Sequence, residues 1–213
     1  MAINRFDSTL PLDFSHLSVE DIRETTIGFG FGSNIPGVCY RVHRQSNGPL
    51  WFSSGAGRYD LQKPFGTLNL ALSKETALRE SLGNTFINAP GIPASELMNR
   101  SVTRIDLIGR YRLADFRYPV GTIAPGDLAA YMPEGYRQTQ ELAQWVHRIG
   151  FEGIIASSRY AGRAGDVLYI FGPAGENADF ARLSGSEDAL KLGGSIPGSF
   201  PRIISDMGEF DFE

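Results

Sequence analysis

Cysteine is nearly absent: Cys39 is the single one in 213 residues. One thiol forms no internal disulfide, which excludes a disulfide-built secreted mini-protein and fits a reducing compartment or simple indifference to redox. Histidine is scarce too, and His16, His43 and His147 lie too far apart for zinc-ligand spacing. No apolar run approaches the roughly 18 residues of a membrane helix. The opening MAINRFDSTLPLDFSHL has one arginine and no apolar core, so it does not read as a signal peptide. Nor is there an excess of positive charge: 20 basic against 24 acidic residues give a net charge of −4. Direct nucleic-acid binding, which needs a basic surface, is therefore not expected.

Several catalytic signatures are missing as well. Gly28, Gly30 and Gly32 do not form G-x-G-x-x-G, no P-loop is present, and no G-x-S-x-G elbow marks a serine hydrolase. Cys39 and His43 share one face of a predicted strand, but four residues of strand separate them by about 13 Å. They do not make a nucleophile–base pair.

What is present is ordinary for a folded protein: 42% hydrophobic, 21% charged and 11% aromatic residues, with 25 glycines. Ser18 and Asp21 signal a short helix over about 19–26, preceded by an irregular arm. VCYRVHR (38–44) alternates as a strand, with Val38, Tyr40 and Val42 on an apolar face and Cys39, Arg41 and His43 turned to water or a cleft. LWFSS (50–54) and GTLNLAL (66–72) have strand character, and Ser73 opens a helix that Gly83 stops. Residues 101–116 make one or two strands. Leu142, Trp145, Val146 and Ile149 recur at helical spacing, and Gly150 ends that helix. FEGIIASSR and DVLYIFG follow as strands. Without a regular βαβ rhythm, the class is α+β. The expected organisation is an arm and short helix over 1–37, a catalytic core over 38–172 and an extension over 173–213 that packs on the core or trails from it, one domain in all.

Four segments, YRVHR (40–44), GRYD (57–60), GTLNLALSKETALRESLG (66–83) and GIIASSR (153–159), together resemble the RES-domain family. The resemblance spans 38–172. It implies a fold like that of ADP-ribosyltransferases, with mixed and antiparallel sheets and flanking helices. It also implies an activity on NAD as substrate, with no metal and no separate cofactor. Family members look like NAD-degrading toxins, acting in the cytoplasm of the producing or of a target cell and paired with an antitoxin that covers the active site; others resemble transferases of ADP-ribose to protein. A third possibility is an inactive module that binds NAD or a partner.

Carried over by position, the family's arginine falls on Arg41, its glutamate on Glu80 and its serine on Ser158, with Ser157 the alternative one residue away. Arg58 and Tyr59 match its Gly-Arg-aromatic loop. Tyr59 stands where tryptophan or phenylalanine is common, and Ala156 where tyrosine is. The residue types suit the chemistry. Glu80 would stabilise the oxocarbenium-like sugar, Arg41 and Arg58 would fork onto the pyrophosphate, Tyr59 would stack on a ring of NAD, and Ser158 would bond the ribose or orient Glu80. Helical phase alone reads otherwise: Glu80 lies about 160–200° round the helix from Leu78 and Leu82, the place of a solvated side chain.

Overall fold

The structure, a computed structural model, describes residues 16–29, 31–44, 48–83, 91–121, 123–129, 136–161, 165–195 and 203–204. In chain order come β1 (Glu24–Gly28), β2 (Ile35–Pro36), β3 (Val38–Arg44), β4 (Trp51–Phe52), β5 (Phe65–Ala71), α1 (Lys74–Leu82), β6 (Ile92–Pro93), α2 (Ala94–Leu97) and β7 (Arg100–Leu107). Then follow β8 (Arg110–Asp115), α3 (Pro125–Ala129), α4 (Arg137–Arg148), β9 (Gly153–Ser157), β10 (Asp166–Pro173), β11 (Gly175–Glu176), β12 (Ala181–Asp188), α5 (Ala189–Ser195) and β13 (Ile203–Ile204).

Nine strands form one sheet in the order β12-β7-β3-β5-β10-β9-β8-β1-β2. The β8–β9 and β1–β2 pairs are parallel and the others antiparallel, so the sheet is mixed and the class is α+β, as expected. Alternation along the central strands divides their side chains between two apolar layers. On β10, Val167, Tyr169 and Phe171 enter a layer with Leu142, Ala143 and Val146 of α4, while Leu168 and Ile170 enter the opposite layer with Phe52, Ile105 and Phe180. A third cluster packs Leu78 and Leu82 of α1 against Leu97, Val102 and Ala189. Among the described residues no helix is long and apolar enough to cross a membrane.

Two expectations change. Ser18 and Asp21 do bond, the Asp21 carboxylate accepting from the Ser18 N–H at 2.7 Å and hydroxyl at 3.0 Å. They close only a 3₁₀ turn, Val19–Asp21, because the chain then enters β1. The short helix is thus replaced by a strand, and residues 24–28 belong to the sheet, paired to β8, not to an arm. The second face of β3 does not open to water at Cys39, whose exposure is 0%. It meets the layer containing Leu50 and Phe52, and burial pushes the thiol up to about 12. In the extension beyond 172, β12 pairs with β7 as an edge strand of the sheet.

One irregularity of the sheet shapes its centre. β3 pairs with β7 along its whole length but with β5 at a single pair, Tyr40↔Ala71. Beyond that pair the two strands diverge inside the sheet.

Candidate functional site

The divergence of β3 and β5 opens a cavity of about 130 Å³, walled by Tyr40, Arg41 and Val42 of β3, Asn69, Leu70 and Ala71 of β5, and Ala77, Glu80 and Ser81 of α1. Arg41 and Glu80, from segments 39 residues apart in sequence (80 minus 41), thus line one space. The helix places Glu80 there by simple phase. Ser73 caps α1, accepting from the Thr76 N–H at 3.1 Å, and Leu78 and Leu82 turn into the third cluster. The opposite side, with Ala77 and Glu80, faces the gap between the strands. The side that looks solvated in sequence is covered by the sheet.

Glu80 is held from a distant part of the chain. Ser158, directly after β9, donates its hydroxyl to Glu80 Oε1 at 2.6 Å. The Ser158 oxygen accepts from the N–H groups of Tyr160 (3.1 Å) and Ala161 (2.9 Å). Both acceptor positions are filled, so the hydroxyl proton is committed to the carboxylate. Ser158, not Ser157, is thereby the serine at Glu80; Ser157 lies in β9, paired with Asp166. Burial raises the Glu80 pKa above its ordinary value. The Ser158 bond, the nearby Arg58 charge and the N–H groups of Tyr160 and Arg159 pull it back in part.

The two arginines differ. Arg41 donates through Nη1 to the carbonyls of Pro49 (3.1 Å) and Trp51 (2.7 Å), which fixes its guanidinium plane. Burial lowers it to about 10, opposed by the negative charge of Asp60, so it is cationic at neutral pH. Around Arg58, burial works against the charge, but Tyr169, Tyr59, Glu80 and Tyr136 outweigh it and leave the pKa raised. Its guanidinium lies 5.6 Å from the centre of the Tyr136 ring.

Tyr59 corrects the sequence reading. Its ring is 1% exposed and packs edge-on against Tyr169 at 4.5 Å and beside Phe116 at 6.4 Å. The ring is a core element under the site, with no free face for a ligand to stack on. Burial pushes its hydroxyl up to about 12.

Sequence reasoning missed several groups. Asn69 is the one polar side chain in LNLAL and is exposed into the cavity from a strand in the middle of the sheet; that isolated polarity was the available signal. The first turn of α4, read as core alone, holds the Arg58 loop: Thr139 Oγ1 donates to the Arg58 carbonyl at 2.5 Å and Gln140 Nε2 to that of Gly57 at 2.8 Å. Tyr160, whose hydroxyl burial shifts upward, lies within electrostatic reach of Glu80 and Arg58. No periodicity marks it.

Comparison with known proteins bears on the fold and the family. None of the curated proteins matches significantly. Among solved structures, the fold is similar to the MbcT toxin in the crystal structure of the M. tuberculosis MbcT–MbcA toxin–antitoxin complex. The TM-score is 0.55 at 18% identity, covering 73% of this chain and 85% of that one. The RES domain sequence profile matches residues 38–189, which takes in β3, α1, β9, β10 and the edge strand β12. Since that match covers well over half of the sequence, the chain belongs to the RES domain family.

Proposed function

We propose that this protein hydrolyses the nicotinamide–ribose bond of NAD and is a cytoplasmic toxin restrained by a protein antitoxin. The observation that carries this reading is that one cavity bears Arg41 on one wall and Glu80, bonded to Ser158, on another. NAD presents the complementary groups: a pyrophosphate dianion for guanidinium, and a ribose that turns cationic as its bond to nicotinamide stretches.

As that bond breaks, its electron pair passes to the ring nitrogen. Nicotinamide leaves neutral, and positive charge develops on the ribose. A fixed carboxylate beside that charge in a water-poor site stabilises the transition state more than the ground state. Glu80 takes this part and holds the ribose hydroxyl, Ser158 keeps the carboxylate oriented, and water adds to the ribose carbon and gives up one proton. Products are ADP-ribose, nicotinamide and a proton. Arg41, already fixed by two carbonyls, meets the pyrophosphate with its remaining donors, and Arg58 adds a second cation beside Glu80. The cavity is smaller than the roughly 300 Å³ of a full ligand pocket. It suits the nicotinamide end, with the adenosine outside.

Leu78, buried in the core two residues before Glu80, leaves no second carboxylate there, which favours hydrolysis, or transfer to a non-arginine acceptor, over transfer to arginine. The antitoxin partner follows from the fold shared with a toxin solved in complex with its antitoxin.

Purified protein incubated with NAD should release free nicotinamide, and Glu80→Ala should lower the rate about 10²- to 10³-fold. Equal release by both proteins, or none by wild type, sinks the reading. In cells, expression should deplete NAD and arrest growth only with Glu80 intact; labelled ADP-ribose appearing on protein would favour transfer instead.

A further inference from the structure

The loop that bears Arg58 is organised by a buried carboxylate that the bond-breaking step does not use. Asp60 is 4% exposed. Its Oδ1 accepts from Ser53 Oγ at 2.9 Å, and its Oδ2 from the N–H groups of Ala56 at 3.1 Å and Gly57 at 2.8 Å. A Cβ at position 57 would lie 2.6 Å from Asp60 Oδ1, so the approach requires glycine there. The other side of the loop is held through its carbonyls. Gln140 Nε2 donates to those of Gly57 (2.8 Å) and Gly55 (3.3 Å), and Thr139 Oγ1 to that of Arg58 (2.5 Å).

The same carboxylate acts on Arg41. It is the negative charge that opposes the effect of burial on that guanidinium. It also bonds Ser53, two residues after Trp51, whose carbonyl accepts from Arg41 Nη1. Packing alone does not call for a charge here. Three neutral donors are satisfied by a neutral acceptor, and an ionised carboxylate is costly to bury. Its charge has a use toward Arg41, while its bonds to the Ala56 and Gly57 N–H groups order the loop that carries Arg58.

We propose that Asp60 is a positioning residue that sets Arg41 and Arg58 as one grip for the pyrophosphate of the substrate. The identity of the anion rests on the NAD reading above; the grip itself does not. Asp60→Asn isolates the charge. The amide oxygen still accepts from Ala56 and Gly57, and the amide nitrogen meets Ser53, whose hydroxyl already lies 3.3 Å from the Thr67 carbonyl and can donate there.

The variant should raise KM for NAD about tenfold with kcat within about twofold, and weaken inorganic pyrophosphate binding by calorimetry by a similar factor. Unchanged KM and unchanged pyrophosphate affinity, or a loss confined to kcat, overturns the proposal. A wild type that releases no nicotinamide, but binds pyrophosphate more tightly than Asp60→Asn does, sinks the NAD reading and leaves the grip standing. A wild type that does not bind pyrophosphate removes the grip. Should Asp60→Asn not fold, Ser53→Ala removes one of the three bonds; it should raise the pyrophosphate Kd about threefold, and no change there overturns the proposal equally.

Discussion

Ser158 donates to Glu80 Oε1 at 2.6 Å across 78 residues of sequence, and two backbone N–H groups leave its hydroxyl no other direction. The bond favours the ionised carboxylate and opposes the effect of burial. Ser158→Ala therefore pushes the Glu80 pKa further up. If Glu80 acts as the anion, nicotinamide release by the variant should fall about 10- to 100-fold, the worth of a hydrogen bond to a charged group. The acid limb of its pH–rate profile should move to higher pH. A uniform drop at all pH values, with the limb in place, would show that Ser158 does not act through Glu80.

Glu80→Gln separates activity from stability. Burial raises the Glu80 pKa in the folded protein, so the folded state holds this proton more tightly than the unfolded chain. That contribution is fully present below the unfolded pKa of about 4.3 and is lost as pH rises through the folded value. At pH 7.5 the charge is a net cost, which a neutral amide avoids. The variant should lose about 10²- to 10³-fold in rate and melt higher than wild type at pH 7.5. The gain in Tm should vanish at pH 4, as thermal unfolding at the two pH values will show.

The strands and helices with strong period were legible from sequence: β3 from VCYRVHR, α1 from its Ser73 cap and Gly83 stop, α4 from Leu142, Val146 and their neighbours. β1 was hidden because ETTIG is short and mostly polar, and β12 because an edge strand with exposed Leu183, Ser184, Gly185 and Ser186 has no apolar face to betray it. The site divides in the same way. Helical phase states which side of α1 is apolar but not what covers the other side. The cover comes from the β3–β5 divergence and from Ser158, both set by long-range pairing. Family resemblance brought Arg41, Glu80, Arg58 and Ser158 into view together, yet it could not tell that Tyr59 points into the core while Asn69 faces the cavity.

Arg41→Lys tests the fork. One ammonium does not reproduce the fixed plane that bonds the Pro49 and Trp51 carbonyls and keeps further donors for phosphate. The same burial that lowers Arg41 to about 10 acts on a group whose ordinary pKa is only about 10.4, so the lysine loses charge closer to neutrality. KM for NAD should rise about 10- to 100-fold, and more at pH 9 than at pH 7. Wild type should keep a flat KM over that interval, because its guanidinium stays protonated. A variant KM that does not change with pH would place Arg41 outside the substrate's electrostatic reach.

The segment that presents Ser158 depends on an ion triad just beyond it. Asp115, at the end of β8 and 1% exposed, accepts from Arg117 Nε at 2.8 Å and Nη2 at 2.6 Å, and Arg117 Nη1 reaches Asp166 Oδ2 at 2.8 Å. Asp166 opens β10 opposite Ser157, and the neighbouring Gly165 carbonyl accepts from the Ser158 N–H at 2.6 Å. Both carboxylates raise the Arg117 pKa above its ordinary value, bonding to Asp115 contributing most. Arg117→Ala leaves Asp115 buried without its cation, which typically costs about 3–5 kcal/mol, read as a lower urea midpoint at unchanged slope. Replacing both carboxylates together, Asp115→Asn with Asp166→Asn, in the Arg117→Ala background should recover part of that loss, because the stranded charge and not the lost contact dominates it. No recovery would mean that the guanidinium stabilises the fold by packing on its neighbours and not by neutralising Asp115.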